Sequence, residues 1–178
     1  VRIRPLRGEP VGLDLVDTVW VEHETLVDQF DTLEGVRAWL ADHGLPGGDD
    51  AERVRDRLTR TRAAMRDLLE GRGSAPLNDV LSHGGRRPQI GDDGPYEMLV
   101  LDDPSWHAAW TAAADLARVL GERPDRVRRC GNPRCVLWFL DLSRNGSRRW
   151  CRMDVCGNRA KVGRFNQRQR ASGASPAP

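Results

Sequence analysis

Cys130-Gly131-Asn132-Pro133-Arg134-Cys135 opens, and Cys151-Arg152-Met153-Asp154-Val155-Cys156 closes, the stretch that decides how this chain folds; there are no other cysteines. Both pairs have C-x4-C spacing, and 15 residues separate them. Two short knuckles joined by such a loop suit a tetrahedral thiolate site, because each knuckle supplies one edge of the tetrahedron and the loop brings the edges together. Cys130, Cys135, Cys151 and Cys156 are therefore expected to hold one zinc ion. Four thiolates close its coordination shell and leave no position for water or substrate, so the ion is structural and a zinc hydrolase is disfavoured. The chain reads as a non-enzyme.

The same stretch is the most basic part of the sequence. From Arg126 to Arg170 there are 13 Lys/Arg against Asp141 and Asp154, a balance of +11 in a chain whose total is +2. The remainder carries 15 Lys/Arg against 24 Asp/Glu, or −9. A basic module joined to an acidic one is expected where one part faces phosphates and the other does not. The expected division is a mostly helical domain over 1–122, a metal-stapled module over 123–170, and a disordered tail of small residues and proline over 171–178. No apolar run approaches a membrane span, and Arg2, Arg4 and Arg7 interrupt any secretory leader. The chain thus reads as cytoplasmic, where four cysteines hold metal more readily than they form disulfides.

The fold class expected is mainly α with a small β-hairpin: a helical N-terminal domain followed by a small metal-stapled module of knuckle, short strands and helix. Leu13, Leu15, Val16, Val19 and Trp20 suggest a short buried helix. Asp31 with Glu34 forms a capping-box pattern ahead of a helix that buries Leu33, Val36 and Leu40 and stops at Gly44. Apolar positions at helical spacing predict a helix from Asp50 to Glu70, stopped by Gly71. Ser74 opens a shorter helix ending at Gly84. Arg86–Ile90 and Tyr96–Leu101 flank a Gly/Asp/Pro turn and predict a hairpin. Asp103-Pro104 opens a helix with Trp106, Ala109, Trp110, Ala113, Leu116, Ala117 and Leu120 on one face and Gly121 as its stop. In the basic module, Val136–Leu140 reads as a strand, and Asp154 caps a helix from Val155 to Arg170.

Cys130–Arg170, with Phe139-Leu140-Asp141-Leu142-Ser143-Arg144-Asn145, Arg148-Arg149-Trp150-Cys151-x-Met153 and Cys156-Gly157-Asn158-Arg159-Ala160-Lys161, resembles the CGNR zinc finger. That resemblance implies that all four cysteines bind zinc and that the module binds DNA. Leu13-Asp14-Leu15-Val16-Asp17-Thr18, Trp39-Leu40, Leu77-Asn78 and the Trp110–Leu116 helix resemble the ABATE domain that usually precedes this finger; the pattern is left at Asp17, where asparagine is usual. Together the resemblances imply a bacterial transcription regulator.

The expected partner is double-stranded DNA, with Arg144, Arg148, Arg149, Arg159, Lys161, Arg164 and Arg168 as candidate contacts. Lys161, Arg164 and Arg168 fall at i, i+3 and i+7, one stripe of the C-terminal helix, with Val162 and Phe165 on another face. Arg149 and Arg159 could instead brace the knuckles. Asn158 could orient the zinc loop or read a base, and Asp141 is expected to pair with an arginine. Trp138 and Trp150 suit core packing better than base stacking. The four histidines show no ligand spacing, and Asp14 and Asp17 read as helix-face charges or caps rather than a catalytic pair. The helical domain is expected to sense a small-molecule effector or to form a homodimer. The alternative is an adaptor whose finger docks a protein or RNA without reading DNA sequence.

Overall fold

The computed structural model describes residues 4–158. The helix expected beyond Asn158, with its stripe of Lys161, Arg164 and Arg168, and the tail over 171–178 lie outside the described residues.

Five helices build the N-terminal part: α1 (Val11–Val16), α2 (Leu33–Asp42), α3 (Ala51–Leu69), α4 (Ala75–Ser82) and α5 (His107–Glu122). Three antiparallel two-stranded sheets accompany them among the described residues: β1 (Val19–Glu22) with β2 (Thr25–Asp28), β3 (Gly84–Gly91) with β4 (Gly94–Leu101), and β5 (Val127–Arg129) with β6 (Trp138–Leu140). The mainly α class with a hairpin is therefore observed; β5 and β6 are the short strands expected of the metal-stapled module, and the β1–β2 pair is additional.

The core forms where α1 lies against α5 and α3. Leu13, Leu15 and Val16 are wholly buried there beside Leu58, Met65, Trp39 and Leu116. α5 buries four alanines, Ala108, Ala109, Ala112 and Ala113, and Ala112 and Leu116 are the positions that meet Gly12 of α1. The approach there is close. A Cβ at Gly12 would stand 2.7 Å from the Ala112 carbonyl oxygen and 2.8 Å from the Leu116 Cβ. The Gly12 amide meanwhile donates to the Asp115 carboxylate on α5 at 3.0 Å, satisfying one free N–H at the start of α1.

Several helix boundaries follow the expected chemistry. The Asp50 carboxylate accepts the Arg53 amide at 2.9 Å, while Gly44 and Gly71 take positive φ just past the ends of α2 and α3. Others differ. Thr32, not Asp31, caps α2, its hydroxyl accepting the Gly35 amide at 3.1 Å. Asp103 caps a 3₁₀ turn, Pro104–Trp106, and α5 begins only at His107. Ala117 is exposed and Val119 buried, because the buried stripe of α5 runs through Ala112, Leu116 and Val119. Gly121 lies inside α5, which ends at Glu122 before the Arg123-Pro124 turn.

The helix expected over Leu13–Trp20 is shorter. It stops at Val16, and Val19 and Trp20 enter a hairpin whose two turn residues, His23 and Glu24, both have positive φ (47° and 67°). That pair of left-handed residues is the geometry of a tight two-residue hairpin turn.

The close α1–α5 contact makes one substitution diagnostic. Gly12→Ala should lower stability by about 1–3 kcal/mol, the usual cost of forcing a methyl group into a packed contact. The urea midpoint of the zinc-loaded protein measures it; an unchanged midpoint would show that the helices separate freely.

Candidate metal centre and its basic surface

The first knuckle begins where β5 ends. The Cys130 amide donates to the Leu137 carbonyl at 2.9 Å, closing the chain back on itself across the knuckle. Asn132 organises the turn: its carbonyl accepts the Cys135 amide at 2.9 Å, and its side-chain oxygen accepts the Arg134 amide at 3.1 Å. Its side-chain amide reaches the other knuckle and donates to Cys156 Sγ at 3.3 Å. Gly131 lets the second knuckle close in, since a Cβ there would lie 3.0 Å from the Arg149 carbonyl oxygen and 3.3 Å from the Trp150 ring. Its amide donates to that same Arg149 carbonyl at 2.8 Å.

The second knuckle is a π-helical turn over Met153–Gly157, with the Cys156 amide donating to the Arg152 carbonyl at 3.0 Å. Asp154 does not cap a helix here; it sits inside the turn and pairs with Arg152. Asn158 donates its side-chain amide to the Asp154 carbonyl at 3.2 Å, tying down the end of the turn.

The four sulfurs converge. All lie within 4.8 Å of one another, with Cys135–Cys151 and Cys151–Cys156 separations of 3.8 and 3.7 Å. A tetrahedron of thiolates about zinc at the usual bond length has edges of about 3.8 Å, so the set has the size of a zinc site. No pair is a disulfide. Left to themselves, four sulfurs this close cannot all ionise. Hydrogen bonds from the Cys135 and Cys151 thiols pull Cys130 down to about 2, and the bond to Cys130 pushes Cys135 up to about 12. A dication lets all four ionise together. Among them the backbone supplies a matching donor, the Cys151 amide, 3.4 Å from Cys130 Sγ. Such a closed centre would supply cohesion and no reactive position.

β6 is a wall shared by two cores. Phe139 faces the cysteines, in a cluster with Leu137, Leu6, Trp20 and Val27. Trp138 and Leu140, alternating to the opposite side, join the core built on α1 and α5. One edge of β6 pairs with β5. The outward amides of the other edge are taken by two carboxylates: Trp138 N–H donates to Asp17 at 2.9 Å and Leu140 N–H to Glu9 at 2.8 Å. Asp17 is 1 % exposed, and burial pushes its carboxyl well above the usual carboxylate range; burial raises Glu9 as well. Arg66 lies close enough to oppose that rise at Asp17, its own pKa lowered by burial, while its guanidinium donates to the Val16 and Val19 carbonyls at 2.6 and 3.3 Å. Asp17 is thus neither a helix-face charge nor part of an acid pair with Asp14, which binds Trp39 Nε1 at 2.8 Å and lies 2.9 Å from Arg4.

The basic residues divide by what they touch. Arg148 is spent within the fold: it stacks 4.2 Å from the Phe139 ring, donates to the carbonyls of Trp150 (3.1 Å), Cys151 (2.5 Å) and Leu140 (3.3 Å), and lies 3.5 Å from Glu9. Arg126 likewise donates to the Ser143 carbonyl at 2.8 Å. Buried Asp141 accepts the Ser143 hydroxyl at 2.5 Å and the amides of Ser143 and Arg148, and the Ser143 hydroxyl bond leads in holding its pKa below the ordinary value. The arginine expected beside it is Arg128, at 3.8 Å. Arg129, Arg144 and Arg149 are exposed, and Arg149 hangs over the Trp150 ring at 5.6 Å. Trp138 is buried. Arg159, Lys161, Arg164 and Arg168 lie outside the described residues. The roles of Glu9, Asp17 and Arg148 at β6 carry no local sequence signal.

The buried Asp17 sets a pH dependence with a definite sign. Its folded-state pKa is raised, so the folded protein holds the proton more tightly than the unfolded chain. The stability it contributes is complete below the ordinary carboxylate value, falls as pH rises toward the raised folded value, and is constant above it. Asp17→Asn keeps an acceptor for the Trp138 amide and removes the charge. It should flatten that part of the pH profile and raise the urea midpoint at neutral pH; a lower midpoint there would show that the ionised carboxylate stabilises the edge.

Residues 9–123 match the ABATE family model, described as "Putative stress-induced transcription regulator", and residues 126–169 match the CGNR zinc finger model. No curated protein matches the chain. The helical domain over most of the chain and the four-cysteine cluster behind it agree with these two matches: the chain belongs to the ABATE family and carries a CGNR zinc finger with one structural zinc site.

Proposed function

We propose that this protein is a zinc-dependent, DNA-binding transcription regulator, in which the N-terminal domain acts as the sensor or dimerisation unit and the finger contacts duplex DNA. The observation that carries the reading is the charge split: +11 between Arg126 and Arg170, against −9 elsewhere. Thiolate ligation fixes the knuckles, and the exposed Arg129, Arg144 and Arg149 around them are free to neutralise phosphates. Arg148 belongs to the frame instead, since its guanidinium is engaged on several sides. Arg134 is exposed but already pairs with Glu24 at 2.8 Å, an exposed pair that water and salt weaken.

The N-terminal domain has a physical route to the finger. Glu9 and Asp17 frame α1 and hold β6 directly, so a ligand or partner that shifts α1 also shifts the strand behind the metal. Among the described residues no helix is long and apolar enough to cross a membrane.

The test is a binding selection from a random duplex library with the zinc-loaded full chain at physiological salt. An enriched motif is expected. Its affinity should fall steeply with salt, and Arg144→Ala with Arg149→Ala should reduce the logarithmic salt slope by about 2 while zinc content stays unchanged. No enrichment together with a flat salt response would contradict the reading and point to the adaptor that docks protein or RNA.

A further inference from the structure

The hairpin β3–β4 stands away from the helical core. Its base is anchored: the Asp102 amide donates to the His83 carbonyl at 3.0 Å, and Trp110 Nε1 donates to the Leu81 carbonyl at 3.0 Å. Beyond that base, most positions from Arg86 to Met98 are exposed, and they include Ile90 (83 % exposed), Tyr96 (52 %) and Met98 (40 %). A two-stranded ribbon with neither face covered is marginal in water. Large apolar side chains on such an arm indicate a surface that is covered in the working assembly.

The hydrogen-bond pattern selects how a partner approaches. With His83 and Asp102 bonded, the bonded pairs continue through Arg87–Met98, Gln89–Tyr96 and Gly91–Gly94. Pro88 and Pro95 fall in the alternate positions, where the backbone nitrogen faces outward. Each outer edge therefore lacks a donor near its middle or tip, which disfavours an added strand. The faces remain. One face presents Tyr96 and Met98 with Arg87 and Gln89, and the Tyr96 ring leans over Gly91, within 3.3 Å of where its Cβ would be.

Charge then selects the partner. The tip carries Asp92 and Asp93, and the shaft carries Arg86 and Arg87. Arg86 has Glu97 at 3.8 Å, whereas Arg87, Asp92 and Asp93 have no ion-pair partner among the described residues. An acidic tip is repelled by phosphates and by anionic lipid. It is complementary to the shaft of an identical arm lying antiparallel, because a two-fold axis near Tyr96 sets each tip beside the other shaft. Self-complementarity under a two-fold is the signature of an isologous interface, and Tyr, Met and Arg are residues enriched in interface centres.

We propose that the Tyr96–Met98 face of the β3–β4 arm docks on the same face of a second copy of this chain, antiparallel, with Arg87 of each copy against Asp92 and Asp93 of the other. This deepens the dimerisation role in the functional reading above and rests on the N-terminal domain's part in it. The test uses no DNA, so its failure leaves the finger's role untouched.

Sedimentation of the zinc-loaded full chain across a concentration series should show a monomer–dimer equilibrium. Met98→Glu should abolish it without changing zinc content or the circular dichroism spectrum. Charge exchange removes any doubt from misfolding. Arg87→Glu alone, and Asp92→Arg with Asp93→Arg alone, should each weaken self-association by about tenfold or more. An equimolar mixture of those two variants should recover a heterodimer, since both contacts are then restored. A wild-type monomer at every concentration, or variants that self-associate like the wild type and gain nothing on mixing, would overturn the proposal.

Discussion

Two carboxylates, Asp17 buried and Glu9 half-buried, hold the outer edge of one three-residue strand, and both parts of the molecule depend on that junction. Glu9 and Asp17 accept the Leu140 and Trp138 amides of β6, the strand whose opposite sides complete the helical core and line the metal cluster. A free strand edge inside a protein would leave amides unpaired, each at a cost of roughly 1–3 kcal/mol. Carboxylates satisfy those amides, but burial disfavours their charge. The raised pKa values of both acids record that conflict, which Arg66 near Asp17 and Arg148 beside Glu9 partly relieve.

The metal cluster is the second constraint, and the two are linked. Among the described residues, the finger's buried aliphatic and aromatic side chains on the cysteine side are Phe139 and Leu137, and Leu6, Trp20 and Val27 of the N-terminal part complete that cluster. A module this small needs ligation and a neighbour to hold its shape. Arg148 joins all these parts, reaching Glu9, the Phe139 ring and the carbonyls around Cys151. Its position in a basic run suggests phosphate contact, yet its surroundings are those of a structural brace. Basic residues in the same run thus serve two ends: some hold the frame, and others, such as Arg144 and Arg149, face solvent from it.

What could be read from the sequence was what is local. The cysteine spacing announced the metal cluster because ligand geometry constrains near neighbours. The helix α3 and the hairpin β3–β4 were legible from periodicity, an Asp cap and a Gly/Asp/Pro turn. The hairpin β1–β2 was hidden because Val19 and Trp20 extend the apolar run of α1, and because its turn uses His23 and Glu24 where glycine or asparagine would have signalled positive φ. The position of β5 was hidden too, since Val127-Arg128-Arg129 becomes a strand only through its pairing with Leu140, Phe139 and Trp138. Least legible was Asp17: its partner is 121 residues away, and nothing in the neighbouring sequence distinguishes it from a charge on the surface of a helix.

The measurement that tests this account most directly is amide hydrogen exchange of the full chain, with zinc bound and after chelation. If β6 joins the two parts as described, chelation should accelerate exchange at Trp138 and Leu140 and also in α1, whose ends carry Glu9 and Asp17. Fast exchange confined to the cysteine knuckles, with β6 and α1 as protected as before, would contradict it.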